Sequence, residues 1–140
     1  MIPFYAQQYD FSKYNVLAVD DIPLNLVLVQ KMLSRFNFKM RTAANGQLAL
    51  DAVAEQKPDL ILLDLMMPGI DGFEVIRRLR ANPETADIQI VILSALNSNE
   101  DVVKGFNVGA NDFIMKPIIM EKLLTCVVTQ MSIVEGKKRA

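Results

Sequence analysis

Histidine and tryptophan are missing from this chain of 140 residues, and cysteine occurs once. Without histidine there is no Ser-His or Cys-His nucleophile pair and no imidazole general base. A lone Cys126 forms no internal disulfide, and with no second thiol or imidazole a zinc site is excluded. Its neighbours Leu123, Leu124, Val127 and Val128 point to a buried, inert thiol. An excess of either charge is also lacking. Fifteen Lys and Arg against sixteen Asp and Glu leave a net charge of −1 and a pI near 5.4. This gives no electrostatic footprint for nucleic acid or for an anionic membrane. No apolar run approaches the length of a membrane span, and no basic-then-apolar leader opens the chain. Cytoplasmic residence is the default expectation. Any chemistry must come from carboxylates, hydroxyls and lysine.

Short apolar runs recur through the chain: Val16–Val19, Leu60–Leu63, Ile90–Leu93 and Phe113–Met115. Such runs read as strands buried on both faces of a parallel sheet, and Phe38–Ala43 is a weaker candidate. Helical spacing lies between them. Pro23 suits a first helical turn, followed by Leu24, Leu28, Val29, Met32, Leu33 and Phe36. Asn45-Gly46 opens a short helix through Ala49, Leu50 and Val53. Asp71 with Glu74 resembles a capping box, and Ser98 with Asp101 makes a second capping pair. Met120, Leu123, Leu124, Val127, Val128 and Met131 form the last stripe. Strand and helix alternate five times, which predicts a single α/β domain, a doubly wound three-layer α/β/α sandwich.

Four polar positions stand at the ends of the apolar runs: Asp20-Asp21, Asp64, Ser94 and Lys116. Parallel α/β sheets bind ligands at the carboxyl ends of their strands. Three carboxylates, a hydroxyl and an ammonium therefore converge on one edge. Two carboxylates 4 Å apart repel by about 4 kcal/mol at an effective dielectric near 20, so the cluster calls for a cation. Magnesium fits, taking oxygen ligands and bridging to phosphate. Asp64 is the natural nucleophile for an aspartyl phosphate, with Asp20 and Asp21 holding the metal. Lys116 would pair with one phosphoryl oxygen and Ser94 would donate to another. Taken singly, Asp20 or Asp21 could be plain helix caps, Ser94 a turn residue and Lys116 a surface charge.

At these residues the chain resembles the receiver domains of two-component response regulators, over roughly residues 15–135. The resemblance rests on Val19-Asp20-Asp21, on Asp64 to Gly72, on Leu93-Ser94-Ala95 and on Gly109 to Pro117. It implies a flavodoxin-like five-stranded parallel sheet of order 2-1-3-4-5 with five helices. It also implies that Asp64 accepts a phosphoryl group from a sensor histidine kinase or a histidine phosphotransfer protein. Asp21 would bind Mg²⁺ directly, Asp20 through water, and the Met66 carbonyl would complete the protein ligands beside Asp64, with Mn²⁺ as a substitute. Lys116-Pro117 would be a cis peptide. Ser94 would move toward the phosphoryl oxygen and Phe113 would swing inward, although Phe113 could equally be a plain core aromatic. The face of the fourth helix, fifth strand and fifth helix would change, and could support a homodimer. Such a domain is a switch in a phosphorelay rather than an enzyme. Met66 and Leu96 cannot orient an attacking water, so slow self-dephosphorylation is expected.

Two ends fall outside the pattern. Residues 1–14 form an arm with half of the aromatics, Phe4, Tyr5, Tyr9, Phe11 and Tyr14. Packing on its own domain is the simpler expectation, a partner-binding arm the other. Residues 136–140 read as a solvated basic tail or a cut linker. No output domain follows, so a stand-alone regulator and one receiver from a larger regulator or hybrid kinase both remain open. A haloacid-dehalogenase-type phosphatase would need an acid two residues after its nucleophile, where Met66 stands. A dinucleotide module would need glycines where Asp20 to Pro23 stand. The remaining rival is a receiver-like fold used only for protein interaction, which has no use for clustered charge.

Overall fold

The computed structural model describes residues 9–139. Five parallel strands, β1 (Asn15–Val19), β2 (Lys39–Ala43), β3 (Leu60–Leu63), β4 (Gln89–Ser94) and β5 (Asp112–Met115), alternate with five helices. The helices are α1 (Pro23–Leu33), α2 (Gly46–Glu55), α3 (Gly72–Ala81), α4 (Asn99–Val108) and α5 (Met120–Arg139), and a 3₁₀ turn (Ser34–Phe36) follows α1. The strand order is β2-β1-β3-β4-β5, all pairs parallel, and the order in which strands are added reverses between β1 and β3. That is the flavodoxin-like order, with its ligand crevice at the β1/β3 switch point.

Alternation along the central strands splits the core in two. Val16, Ala18, Leu60, Leu62, Val91 and Leu93 face α1 and α5, while Leu17, Val19, Ile61, Leu63, Ile90 and Ile92 face α2, α3 and α4. Both sides being covered explains why these strands read as unbroken apolar runs. The weaker β2 is an edge strand, mostly half-buried, and begins at Lys39 rather than Phe38.

Helix boundaries follow local chemistry. Asn45 and Ser98 cap α2 and α4 through their side chains. At α3 only half of the expected capping box forms. Asp71 accepts the Glu74 N–H at 2.9 Å, but the Glu74 carboxylate turns to Arg77 and Arg78, drawn by two full charges within one helical turn. In α1 the expected stripe is rotated. Val29 and Leu33 are buried, with Leu26 and Met32 against them, while Leu24, Val27 and Leu28 face outward. A helix over a sheet buries one face, and α1 carries more apolar residues than one face holds. Phe36 is fully buried from the 3₁₀ turn. Met120, at the head of the α5 stripe, is exposed because it lies beyond the strand ends.

The C-terminal end of the chain differs from expectation as well. α5 runs through Arg139 instead of yielding to a solvated tail at 136. Lys137 Nζ donates to the Gln89 side chain at 2.7 Å and to the Asp87 carbonyl at 2.8 Å. Lys138 pairs with Asp59 at 3.1 Å and lies over the Tyr14 ring. Within the aromatic segment, Phe11 and Tyr14 are buried and Tyr9 stacks on Phe11. Phe11 in turn meets Phe36 and Phe38. Phe4 and Tyr5 lie outside the described residues.

Candidate functional site

Register places the polar groups side by side. Val19 pairs with Leu63 and Ser94 with Met115, so the residues leaving β1, β3 and β5 emerge on one edge. Backbone bonds continue the sheet one step further: Asp64 N–H donates to the Val19 carbonyl at 2.9 Å, and Lys116 N–H to the Ser94 carbonyl at 2.8 Å. The Lys116–Pro117 peptide bond is cis.

At the centre is the Lys116 ammonium, 2.8 Å from Asp20 Oδ2 and 3.8 Å from Asp64 Oδ2. Asp20, Asp21 and Asp64 each bring a carboxylate oxygen into a group whose members lie within 4.8 Å of one another. Asp20 and Asp64 are buried and Asp21 is exposed. Asp20 is fully engaged: Oδ1 accepts the Ile22 N–H at 2.9 Å, and Oδ2 accepts Asn25 Nδ2 at 3.1 Å besides Lys116. The residue at the α1 cap position is Ile22, with no side-chain bond, so neither early aspartate serves as that helix's cap.

Asp64 is less satisfied. Its Oδ1 accepts one long bond from the Met66 N–H, 3.4 Å. Burial raises its carboxyl above the ordinary value, Lys116 opposes that, and the Asp20 charge adds to it. A buried carboxylate in this position gains from a further cation. Ser94 is fully buried, and its Oγ accepts the Leu96 N–H at 3.1 Å, which leaves the hydroxyl proton to donate elsewhere. Phe113 is half-buried among the residues facing α4. Met66 is exposed and Leu96 half-buried. The Cys126 thiol is buried, and burial first and Asp112 second raise its pKa, as an unreactive thiol requires.

Asn25 was not singled out from the sequence, and Gly72 entered only as the end of the Asp64-to-Gly72 motif. Asn25 donates to Asp20; its only signal was a lone amide within the apolar run of α1. Gly72 begins α3 directly against the site, where a Cβ would lie 2.6 Å from the Asp64 carbonyl oxygen and 2.8 Å from Leu65 Cα. Only glycine permits that approach. Beside the carboxylates a cavity of about 480 Å³ opens between α1 and the β5–α5 connection, with Val29, Met32, Leu62 and Leu93 as its apolar wall. Exposed Ile22, Leu24, Met66 and Ile119 surround the edge.

Comparison with known proteins gives one family. The model described as "Response regulator receiver domain" matches residues 16–128. Response regulator PleD of Caulobacter vibrioides is 44% identical over 103 residues, 74% of this chain but 23% of that protein. Protein PilH of Pseudomonas aeruginosa is 33% identical over 112 residues, 80% of this chain and 93% of that one. Among solved structures, a putative response regulator from Chloroflexus aurantiacus superposes with a TM-score of 0.81 at 30% identity, covering 85% of this chain and 98% of that one. The chain spans less than half the length of several curated relatives.

Proposed function

The chain belongs to the response regulator receiver domain family of two-component signalling, and on that footing we propose that Asp64 is its phosphoacceptor. The phosphoryl donor is a phosphohistidine on a sensor kinase or a histidine phosphotransfer protein. A carboxylate oxygen of Asp64 attacks phosphorus, the P–N bond breaks, and the imidazole nitrogen keeps the electron pair. Burial supports this role, because a carboxylate whose pKa is held above its usual value is a stronger nucleophile when ionised. Lys116 is placed to pair with a phosphoryl oxygen, and Ser94 retains a proton to donate to another.

The all-oxygen donor set of Asp20, Asp21 and Asp64 fits Mg²⁺, or Mn²⁺ in its place, and a dication would relieve the repulsion among these carboxylates. Asp21, Asp64 and the Met66 carbonyl would hold it directly and Asp20 through water. Bound there, the metal would neutralise charge on the transferring phosphoryl group. Movement of Ser94 toward the phosphoryl oxygen would draw Phe113 inward. The exposed apolar face of α1, with Leu24, Val27 and Leu28 beside the acidic edge, suits docking of the phosphodonor. Val103, Phe106 and Met115, exposed on α4 and β5, suit an output partner or a second copy of the chain.

One observation carries the reading: a single ammonium from the end of β5 reaches carboxylates at the ends of both β1 and β3. Incubation with acetyl phosphate and Mg²⁺ should add one phosphoryl group by intact mass. Asp64→Asn and EDTA should each abolish the gain. An Asp64→Asn protein that gains the same mass would overturn the assignment. After donor removal the adduct should outlast seconds, since Met66 and Leu96 offer an attacking water no hydrogen bond.

A further inference from the structure

Away from the acidic edge, one side chain gathers more hydrogen bonds than any helix packing requires. Arg80, near the C-terminus of α3, donates from Nε to the Gly109 carbonyl at 2.9 Å. Its Nη1 donates to the carbonyls of Ala86 and Ile88, at 2.9 and 2.6 Å, and its Nη2 to Asn111 Oδ1 at 2.9 Å. The same Asn111 oxygen accepts the Ile90 N–H at 2.7 Å, while the Asn111 N–H donates to the Ile90 carbonyl at 2.8 Å. One guanidinium therefore joins the end of α3, the approach to β4, the last turn of α4 and the entry to β5. Its planar fork of donors is what allows this, and lysine has no equivalent.

Gly109 is part of the same device. It stops α4 at φ 120°, and a Cβ there would lie 2.7 Å from Arg80 Cγ. Both the backbone conformation and the arginine stem demand glycine. One turn earlier, Gly105 lies so close to the sheet that a Cβ would sit 2.9 Å from Ile92 Cδ1 and 3.2 Å from the Phe113 ring.

The other end of α4 is held differently. Residues 95 and 97–100 are exposed. The hydrogen bonds in this connection stay within it: Leu96 to Ser94, and Ser98 with Asp101 and Val102. This connection leaves β4 directly from Ser94, the hydroxyl that the phosphoryl reading sets in motion. A segment tied at one end, and otherwise held by local hydrogen bonds and by Lys104 Nζ 4.3 Å from the centre of the Phe73 ring on α3, can turn about the tied end.

We propose that Arg80 is a positioning residue that fixes the C-terminal end of α4 and the start of β5, so that a change at Asp64 and Ser94 displaces residues 95–104 about this anchor. The proposal rests on the phosphoryl reading of the site, and Arg80 has no contact with the reacting groups. It makes the displacement of α4 a tilt from its N-terminal end, with the backbone around Gly109 and Asn111 unmoved.

The test is amide hydrogen exchange on the full chain with and without beryllofluoride and Mg²⁺, a non-transferable stand-in for the phosphoryl group. In the unaltered protein, exchange should change across 95–104 and stay constant across 108–112. In Arg80→Gln, exchange at 108–112 should be faster by about tenfold, as loss of charge-assisted hydrogen bonds predicts. The response to beryllofluoride should then spread into that segment. A response at 108–112 as large as at 95–104 in the unaltered protein would overturn the anchor, as would a response still confined to 95–104 in Arg80→Gln. If Arg80→Gln does not fold, Arg80→Lys decides on the same criteria, since it keeps the stem over Gly109 but loses the fork. The phosphoryl reading is checked separately by mass gain from acetyl phosphate. Its failure there differs from a loaded protein whose α4 responds uniformly.

Discussion

The two ends of the one sheet handle charge in opposite ways. At the amino end, several charged groups near the strand starts meet partners. Asp59 takes the Asn15 N–H and Lys138, Asp87 takes Lys57, and Lys137 reaches Gln89, whose amide is bonded to the buried Gln130. Phe11, Tyr14, Phe36 and Phe38 seal the same end. At the carboxyl end three carboxylates cluster, and one ammonium pairs with two of them, Asp20 and Asp64. The surplus of one sign at the carboxyl edge is what the proposed phosphoryl chemistry would use. The surplus is tolerable only where a cation can be recruited.

Substitutions separate the two ends. The largest effect belongs to the amino end: Phe36→Ala should cost about 3–5 kcal/mol in urea unfolding, because the ring is fully buried. Phosphoryl uptake per folded molecule should be unchanged. At the carboxyl end, Lys116→Ala should destabilise the metal-free protein by about 1.5–3 kcal/mol, leaving Asp20 and Asp64 without their counter-ion. Added Mg²⁺ should restore much of that loss, whereas Phe36→Ala should gain no more from Mg²⁺ than the unaltered protein.

Asp64→Asn should act in the opposite direction. Folding raises the Asp64 carboxyl pKa, so the fold favours its protonated form and is opposed by the ionised form. In EDTA at pH 7 the variant should melt higher than the unaltered protein. The gain should fade as pH drops toward the unfolded carboxyl's pKa, about 4. A variant that melts lower at pH 7 would mean that Asp64 is stabilised as an anion. The smallest effect is expected from Lys138→Ala at the amino end, below about 1 kcal/mol. The Lys138 side chain that pairs with Asp59 and the Tyr14 ring is itself 56% exposed.

Sequence order made the acidic edge legible because each polar residue follows an apolar run, and parallel strands end on one side. The α1 stripe was not legible. Leu24, Leu26, Leu28, Val29, Met32 and Leu33 support more than one helical face, and only the sheet beneath decides which is buried. The continuation of α5 to Arg139 was hidden for a related reason. Lys137 and Lys138 look like solvated charges until Asp87, Gln89 and Asp59 are brought under them from strand starts far away in the chain. The Arg80 anchor shares that cause, since its acceptors span Ala86 to Asn111.

Composition and periodicity by themselves settled the alternation of strands and helices, the doubly wound class and the identity of the residues at the strand ends, because those depend on neighbours in the chain. Tertiary structure alone decided that one ammonium bridges Asp20 and Asp64, that Asn25 belongs to the site and Gly72 packs against the Asp64 backbone, and that one arginine ties α4 to β5. Hydrogen bonds and ion pairs act over about 3–4 Å, and residues 96 positions apart in sequence come that close only once the sheet has formed.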